Sequence, residues 1–316
     1  MGIPYLNRYI LDTCATGITE ISFSELDGKV IVVDIMLYLY KFMSEDALMD
    51  HLYIMISLFR HYNIIPLFIF DGKPPKEKDE LLKKRAEEKH CAENEYNELK
   101  QKMGFSNTYA ERKKLENKMI TLKKKCVRLN KYAINQAKEL IDAYGMMHYT
   151  AEGEADPLCA QLVLKKYAYA CLSEDMDQFI YGCPRILRYM NLTTESFCIY
   201  NLKKILKHLK LSHKEFKDIC VLSGTDYNLS KKTNLFKTLK LFARYKHSKN
   251  ADFYEWLQKN TTYVDDIDLL QNTMRLFDLN NINLTEIKKK NIKNSRPNWT
   301  IVQNILKPSG YIFLSK

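Results

Sequence analysis

Seven acidic residues beside apolar segments are the part of this sequence with the clearest chemical meaning. They are Asp34 and Asp71, which each end an apolar run, and Glu152, Glu154, Asp175, Asp177 and Asp226, which stand in three short motifs. Buried together without counter-charges, these carboxylates would repel one another. Hard divalent cations such as Mg²⁺ and Mn²⁺ prefer oxygen ligands and would stabilise such a cluster. The sequence therefore predicts an acidic metal site.

The predicted strands bring three of these acids to one edge of a sheet. Asp34, Asp71 and Asp175 follow strand-like segments at about residues 29–33, 64–70 and 167–172. In an open parallel sheet, side chains at the carboxyl ends of the strands converge on the ligand crevice. Any one of the three alone could be an ordinary turn residue or helix cap. The prediction rests on their coincidence.

The paired acids leave two interpretations open. Glu152 and Glu154 are two residues apart, so they would not share one side of a helix. At the start of the helix predicted over residues 154–166, however, both could turn toward one point. The alternative is simple dipole stabilisation, since acids are favoured in a first helical turn. The pair Asp175 and Asp177 has the same ambiguity, and the addition of Asp226 favours a shared site.

The number of acids suits two metal ions rather than one. Two Mg²⁺ ions roughly 3.5–4 Å apart can activate a water and stabilise the leaving oxygen in an in-line displacement. The reaction class that this site implies is phosphodiester hydrolysis.

The distribution of charge supports a nucleic-acid substrate. The chain has 316 residues and a net charge of +11. Residues 1–71 carry −5 and residues 141–200 carry −4, whereas residues 72–140 carry +8 and residues 201–250 carry +10. One basic run alone would be a solvated face. Two basic runs that bracket an acidic cluster indicate phosphate binding that weakens as salt rises.

Two basic residues and one aromatic residue could act beside the acids. Lys78 and Arg85 lie seven residues apart, so on a helix they share one face over two turns and could neutralise a scissile phosphate. Tyr40 follows Asp34 by six residues and could stack on an unpaired base. Taken singly, the commoner outcomes are a solvated helix face and a core tyrosine.

The remaining pattern predicts an α/β fold, with strands also near residues 146–149, 186–189 and 197–200 and mainly helices after 201. From residue 76 to about 144 the sequence predicts two or three long helices with a turn at Gly104–Asn107. Their sparse apolar content indicates an exposed helical excursion. A coiled-coil arm is disfavoured because the a/d repeat is not sustained.

Eight scattered cysteines show no zinc-ligand spacing, which is typical of reduced intracellular proteins. The sequence contains no membrane-spanning run and no signal-peptide pattern. We therefore expect a soluble intracellular protein, in the nucleus if it is a cellular eukaryotic protein and at the site of viral DNA replication if it is viral. Richness in Lys, Asn, Ile and Tyr fits an AT-rich genome, such as that of a large DNA virus or a protist.

Several motifs in order resemble the flap endonuclease branch of the structure-specific 5′ nucleases. They are the Met-Gly-Ile start, Val-Asp34, Asp71-Gly-Lys-Pro-Pro, Glu152-Gly-Glu-Ala-Asp, Glu174-Asp-Met-Asp and Ser223-Gly-Thr-Asp-Tyr. The resemblance covers about residues 1–228. It implies a PIN-like nuclease fold, that is, a mixed and mainly parallel sheet flanked by helices, with a helical arch through which a single-stranded 5′ flap passes.

The resemblance also implies roles for residues and regions. The seven acids would be ligands of two Mg²⁺ ions, with Mn²⁺ as a substitute, and Lys78, Arg85 and Asp177 would be catalytic. Gly2, Tyr40 and Lys73 would contact branched DNA. Residues 1–228 would be the nuclease core, with 1–71 its N-terminal part, 72–140 the arch and cap insertion, and 141–228 its internal part. Residues 229–280 would be a helical duplex-binding region and residues 281–316 a C-terminal tail.

Two departures from the family pattern change the expected contacts. The family has a glycine hairpin after the motif of Asp226, which holds duplex backbone and often K⁺, but residues 228–236 contain no glycine. Backbone amides approach phosphate closely only where side chains are small. We therefore expect duplex contact through Lys231, Lys232, Lys237 and Lys240, and the missing glycines argue against K⁺. The sliding-clamp peptide is incomplete, because Ser309 and Gly310 stand at its aromatic positions, so we expect no standard clamp contact and a monomer.

Three functions remain open at this point. The first is a metal-dependent structure-specific endonuclease that cuts 5′-flap DNA near the single-strand/duplex junction, in replication, repair or recombination. The second is a 5′→3′ exonuclease or four-way-junction resolvase with the same site. The third is a catalytically silent DNA-binding scaffold, which the retention of all seven acids argues against, since a scaffold gains nothing from unpaired carboxylates. Cleavage that requires metal would separate the first two from the third.

Overall fold

A single mixed sheet forms the centre of the molecule. The computed structural model describes residues 2–103, 109–228, 233–248, 252–264, 266–280 and 282–313. Within those residues the strands are β1 (Ile18–Ser22), β2 (Val30–Asp34), β3 (Ile65–Phe70), β4 (Met147–Thr150), β5 (Ala170–Leu172), β6 (Arg185–Asn191) and β7 (Ser196–Asn201). Their order across the sheet is β1-β7-β6-β5-β2-β3-β4.

The five strands from β6 to β4 run parallel, and the hairpin partner β7 and the edge strand β1 pair antiparallel. The predicted mixed, mainly parallel sheet is confirmed. The central strand β2 is flanked by β5 on one side and β3 on the other, and all three are nearly continuous apolar runs because helices cover both faces. The strands that precede the three strand-end acids are therefore adjacent.

Helices connect and cover these strands. Within the described residues they are α1 (Leu6–Thr13), α2 (Ile35–Ser44), α3 (Leu48–His61), α4 (Asp79–Met103), α5 (Tyr109–Lys125), α6 (Lys131–Ala143), α7 (Ala155–Leu164), α8 (Asp177–Ile180), α9 (Leu202–Leu209), α10 (His213–Ser223), α11 (Leu235–Lys246), α12 (Phe253–Asn260), α13 (Ile267–Leu276), α14 (Thr285–Lys288) and α15 (Trp299–Leu306). In the described part of the chain, no helix is both long enough and apolar enough to span a bilayer.

The two faces of the sheet carry separate cores. One face packs against α2, α3, α6 and α15, with Phe59, Phe68 and Leu140 among its fully buried side chains. The other packs against α1 and the helices from α7 to α13, around residues such as Leu162 and Phe216. This three-layer arrangement leaves the carboxyl ends of β2, β3 and β5 at one edge.

The helices between β3 and β4 divide into two kinds. Helices α4 and α5 pack against each other around a small apolar cluster of their own, formed by Ala92, Leu99 and Leu122. Helix α6 instead buries Ala137 and Leu140 in the main core. The predicted turn at Gly104–Asn107 lies outside the described residues.

The C-terminal segment, for which the sequence gives no clear periodicity, returns to the central sheet. Helix α15 buries Val302 and Leu306 completely beside α6. The strand-like segment before it passes close to Gly145, whose carbonyl accepts a 2.7 Å hydrogen bond from Ser295 N. A Cβ atom at Gly145 would lie 2.4 Å from the Ser295 carbonyl oxygen, so the approach requires glycine there.

Candidate active site

A chain of hydrogen bonds links the acids at the ends of β2 and β5. Asp34 is the last residue of β2, and its Oδ2 accepts a 3.0 Å hydrogen bond from Ser173 Oγ. Ser173 Oγ in turn accepts from Asp175 N at 3.1 Å, and Asp175 Oδ1 accepts from Asp177 N at 3.0 Å. The loop after β5 is thereby folded so that three carboxylates lie beside one another.

Asp71 connects the end of β3 to the start of α7. Its Oδ1 accepts a 2.8 Å hydrogen bond from Ala155 N, the first amide of that helix. This bond satisfies an amide that would otherwise have no partner within the helix. The carboxylate of Glu154, which stands at the N-cap position, does not cap the helix and projects into the site instead. The sequence alone did not indicate that Asp71 would take this capping role.

The two predicted cations pair with two of the acids. Lys78 Nζ lies 2.5 Å from Glu154 Oε1, and Arg85 Nη2 lies 2.9 Å from Asp226 Oδ2. Lys78 is in the turn that leads into α4 and is only 8% exposed, whereas Arg85 is on α4 and its side chain is about one-third exposed. The start of α4 therefore lies directly over the acids.

These elements enclose a cleft of about 240 Å³. Its lining includes five of the seven predicted acids, both predicted cations and the predicted aromatic residue, namely Asp34, Asp71, Glu154, Asp175, Asp226, Lys78, Arg85 and Tyr40. Asp177 is buried behind Asp175, next to Gly2. Glu152 is exposed and does not line the cleft.

Burial and mutual repulsion raise the pKa values of the clustered acids. Loss of solvent, together with the nearby charge of Asp71, raises the pKa of Asp34 to about 8. Burial also raises the pKa of Asp71, Asp175 and Asp177, the last of them strongly. For Lys78, burial alone would lower the pKa, but the attraction of Glu154 outweighs it and raises the pKa. The positive charges that the protein brings to the cluster are thus too few to neutralise all its carboxylates.

Both parts of the cleft fall in segments that match one nuclease family. Residues 1–92 match the XPG N-terminal domain, and residues 145–226 match the XPG I-region. Flap endonuclease 1 of Encephalitozoon cuniculi is 30% identical over 245 residues, which is 72% of this chain and 68% of the relative. The chain belongs to the XPG family.

Two further relatives align with the same share of this chain. Flap endonuclease 1 of Drosophila mojavensis is 31% identical over 246 residues, covering 72% of this chain and 60% of that protein. The corresponding protein of Xenopus tropicalis is 29% identical, with 72% and 61% covered. The aligned part of the chain thus spans about 60–68% of the length of these relatives.

Solved structures in this family show the same fold. The catalytic core of Rad2 in complex with DNA substrate superimposes with a TM-score of 0.69 at 18% identity, covering 97% of this chain and 95% of that one. Human GEN1 with Holliday junction DNA gives 0.65 at 19% identity, with 98% and 74% covered. Flap endonuclease-1 from Methanococcus jannaschii gives 0.61 at 22% identity, with 92% and 90% covered. The predicted PIN-like nuclease fold is confirmed.

The donor chemistry of this XPG-family cleft suits a hard divalent cation. Asp177 Oδ1 is buried and has no hydrogen-bond partner among the described residues. Carboxylate oxygens with raised pKa values lose their desolvation cost when a dication neutralises them. In the described residues, however, no three His, Cys, Asp or Glu side chains stand ready around one point to hold a metal ion. Two of the acids instead pair with cations of the protein, Glu154 with Lys78 and Asp226 with Arg85.

The predicted DNA contacts lie on several elements. Tyr40 is 40% exposed at the mouth of the cleft, with Lys89 Nζ 5.3 Å from its ring centroid. A Cβ at Gly2 would lie 2.6 Å from Asp177 Oδ1, so the N-terminal backbone contacts the acids directly. Lys73 is exposed after β3.

The predicted duplex-binding lysines are described only in part. Lys237 and Lys240 are exposed on α11, whereas Lys231 and Lys232 lie outside the described residues. Contact of any of these lysines with DNA stays a prediction.

Two residues of the cleft escaped the sequence analysis. Asp156 lines it and accepts a 2.9 Å hydrogen bond at Oδ1 from Gln178 Nε2, and burial together with nearby Asp34 raises its pKa strongly. It follows Glu154 by two residues, which continues the alternation of acids from Glu152 and could have revealed it. Tyr227 donates from its hydroxyl to Glu154 Oε2 at 2.6 Å, and only its position next to Asp226 gave any signal.

Proposed function

We propose that this protein is a metal-dependent, structure-specific 5′ nuclease that hydrolyses a phosphodiester near the single-strand/duplex junction of 5′-flap DNA. One observation carries the proposal. Carboxylates from the ends of three adjacent parallel strands meet those of the α7 and α10 termini in one cleft, beneath two cations from the start of α4. Such a cleft can bind an anionic diester only if its own negative charge is first neutralised.

The proposed cofactor is a pair of Mg²⁺ ions, with Mn²⁺ as a substitute. Its ligands would come from the seven acids predicted from the sequence, with the exposed Glu152, which lies outside the cleft, acting only through water. Asp156 lines the same cleft and adds to its negative charge. When bound, Mg²⁺ supplies Lewis acidity to the attacking water and to the phosphate oxygens. Glu154 and Asp226 could serve as ligands only after their present ion pairs have opened.

The protein's own residues would then position the substrate. Lys78 and Arg85, released from Glu154 and Asp226, would contact the oxygens of the scissile phosphate, the arginine with two parallel hydrogen bonds. Tyr40 would stack on the last unpaired base. Lys89, which lies over the Tyr40 ring, would follow the phosphate backbone of the same strand.

The proposal assigns each region a task. Residues 1–228 would form the nuclease core, in which the 72–140 insertion supplies the arch for the single strand. The separate apolar cluster of α4 and α5 supports this role, since the pair does not depend on the main core for its packing. Residues 229–280 would bind the duplex through α11, and residues 281–316 would be the C-terminal region.

Cleavage of end-labelled DNA in the presence of Mg²⁺ tests the function. The substrates are a 5′ flap, the same flap with a blocked 5′ end, a nicked duplex and a four-way junction. A single cut at the flap base, lost when the flap end is blocked, is the expected result. Preferred cutting of the junction, or stepwise digestion from the nick, would replace this function with that of a resolvase or exonuclease. The matched variant Asp177→Asn should bind the flap and leave it uncut.

A further inference from the structure

An exposed aromatic pair lies outside the cleft and takes no part in the function described so far. The rings of Tyr5 and Phe236 have their centroids 6.0 Å apart and their planes inclined at 48°. Tyr5 is 61% exposed and Phe236 is 49% exposed. Two large aromatic side chains that meet at the surface, rather than in the core, mark a binding surface more often than a structural one.

The backbone at Tyr5 is held in a conformation that aromatic residues avoid. Tyr5 has φ +65° and ψ −6°, in the left-handed region, immediately before α1. A bulky residue there is strained, and such strain persists only where the surrounding structure imposes it. Here the flanking residues impose it, because Ile3 and Leu6 are both buried and fix the chain on either side. With this backbone conformation the Tyr5 ring lies at the surface, against Phe236.

The pair is close to the acids. Gly2 contacts Asp175 and Asp177, and Tyr5 follows Gly2 by three residues. Three residues of chain reach at most about 11 Å, so the Cα of Tyr5 lies within that distance of the Cα of Gly2. Because duplex DNA rises about 3.4 Å per nucleotide, the Tyr5 backbone lies within about three nucleotides of Gly2, which contacts the acids.

The charge around Phe236 indicates what the rings bind. Phe236 and Lys237 are the second and third residues of α11, and Lys240 follows on the next turn, all three exposed. Helix α11 has no acidic residue along its length and ends with Arg244 and Lys246. Aromatic rings interleaved with cations bind nucleic acid by combining stacking with phosphate contacts, whereas a protein partner would more commonly meet aromatics without such a concentration of one charge.

We infer that Tyr5 and Phe236 form a platform that packs against the sugar or base of the duplex nucleotide next to the scissile phosphate. This inference rests on the proposed function, because it places the platform on the duplex side of that cut. The platform adds contacts at a place where the sequence lacks the family's glycine hairpin. It would fix how far the duplex enters the cleft, and so which phosphate is cut.

Binding without cleavage tests the platform directly. The probe is a fluorescent 5′-flap DNA in EDTA, with 2-aminopurine as the first paired nucleotide. Tyr5→Gly removes the ring and suits the positive φ, so its melting temperature should not fall. Phe236→Ala removes the partner, whereas Tyr5→Phe and Phe236→Tyr keep the rings. The matched control is Tyr167→Ala, which removes a 38% exposed tyrosine before β5, at the end of that strand opposite the acids.

We expect Tyr5→Gly and Phe236→Ala each to raise the Kd for the flap DNA about tenfold, the change that corresponds to loss of one stacked base. In both variants the fluorescence of 2-aminopurine in the complex should differ from that with wild type. In Mg²⁺ both variants should cut at several neighbouring phosphates instead of one. The ring-keeping variants and Tyr167→Ala should stay within about twofold of wild type, in line with substitutions outside a stacking contact.

The outcomes separate this inference from the proposed function. If the wild-type protein cuts flaps and both ring-removing variants bind and cut as it does, the platform is refuted and the nuclease stands. If the wild-type protein cuts nothing but its DNA binding depends on the two rings, the nuclease is refuted and so is the placement of the platform beside a cut, while the two rings are shown to bind DNA. Absence of DNA binding by the wild-type protein would refute both.

Discussion

Lys78 Nζ lies 2.5 Å from Glu154 Oε1, so a cation from the start of α4 already neutralises one of the acids proposed to bind metal. The same arrangement joins Arg85 to Asp226. In the proposed function each cation would therefore have two competing partners, a protein carboxylate and the substrate phosphate. Exchange between them would couple the entry of metal and DNA to a movement of the α4 terminus.

If Lys78 and the metal compete for Glu154, replacing Lys78 should slow cleavage and at the same time strengthen Mg²⁺ binding. Lys78→Met should slow cleavage about 10²–10³-fold, the effect of removing one donor to a reacting oxyanion. The same change frees Glu154, so the rise in melting temperature on adding Mg²⁺ should be larger than in wild type. Thermal melts with and without Mg²⁺ measure this, with Lys84→Met, on an exposed pair with Glu88, as the control. A smaller Mg²⁺ effect would show that Lys78 does not compete with the metal.

Tyr227 predicts an effect that acts through Glu154. Tyr227→Phe removes the hydroxyl that donates to Glu154 Oε2 and leaves the ring in place beneath Lys78 Nζ, which is 4.8 Å from its centroid. Loss of a group that orients a ligand typically weakens metal affinity about 10–100-fold. A titration of cleavage rate against Mg²⁺ should therefore shift to higher concentration, with the plateau largely retained. Tyr254→Phe, whose buried hydroxyl contacts the Asp218 carbonyl instead, should not shift it.

The raised pKa of Asp34 predicts how stability depends on pH without metal. In the unfolded chain an aspartate titrates near 3.9, whereas in the folded protein the pKa of Asp34 is about 8. The folded state then binds the proton more tightly, so this contribution to stability is complete below about pH 4 and is lost as pH rises toward 8.

Urea unfolding in EDTA at pH 5.5 and pH 8 measures this contribution. In the wild-type protein the urea concentration at the midpoint of unfolding should be lower at pH 8 than at pH 5.5. The decrease should be smaller in Asp34→Asn, because its side chain has no proton to lose. Saturating Mg²⁺ should reduce the difference in the wild-type protein, because the ion replaces the proton. An equal decrease of the urea midpoint in the wild-type protein and in Asp34→Asn would show that groups other than Asp34 cause the pH dependence.

Two substitutions of Asp71 should separate its role as the cap of α7 from its role in metal-dependent cleavage. Asp71→Asn keeps an oxygen acceptor for Ala155 N, whereas Asp71→Ala leaves that amide without its cap and should cost about 1 kcal/mol of unfolding free energy. Both variants remove the charge and should lose metal-dependent cleavage. Chemical denaturation and the flap assay on the two variants distinguish these roles. Equal stability of the two would mean that the cap contributes nothing.

A substitution in the core-facing side of α15 should lower stability without changing catalysis. Leu306 is completely buried against the sheet core, so Leu306→Ala should cost about 2–5 kcal/mol of unfolding free energy. Ile312→Ala, at an 89% exposed position, should cost almost nothing. At a temperature where the Leu306 variant is still folded, its cleavage rate per folded molecule should match wild type.

The sequence predicted the elements whose patterns are local. The continuous apolar runs gave β2 and β3 to within one residue, and the acids at their ends followed from parallel topology. Strand β5 begins only at Ala170, because Lys166 has a positive φ that ends α7 and starts a turn. Edge strand β1 was missed, since one short antiparallel strand with an exposed face carries little apolar signal.

The interactions that sequence could not supply are those between distant segments. Nothing in the pattern around Lys78 indicates that it pairs with Glu154 rather than pointing to solvent, because the pair depends on how α4 crosses the end of the sheet. The packing of α15 beside α6 is of the same kind, since Val302 and Leu306 reveal their burial only once their partners are known. The exposed Glu152 shows the converse, a residue singled out by its motif that the fold leaves outside the cleft.

The position of α15 has a consequence for how the chain acquires its structure during synthesis. Val302 and Leu306 complete the core on one face of the sheet, and they are made 300 and 304 residues after Gly2, which lies against the acids. Until they leave the ribosome, an apolar strip beside α6 has no cover. A growing chain would therefore hold its acidic cleft before this face of its core is covered, and we expect stable folding of the nuclease only after Val302 and Leu306 have emerged.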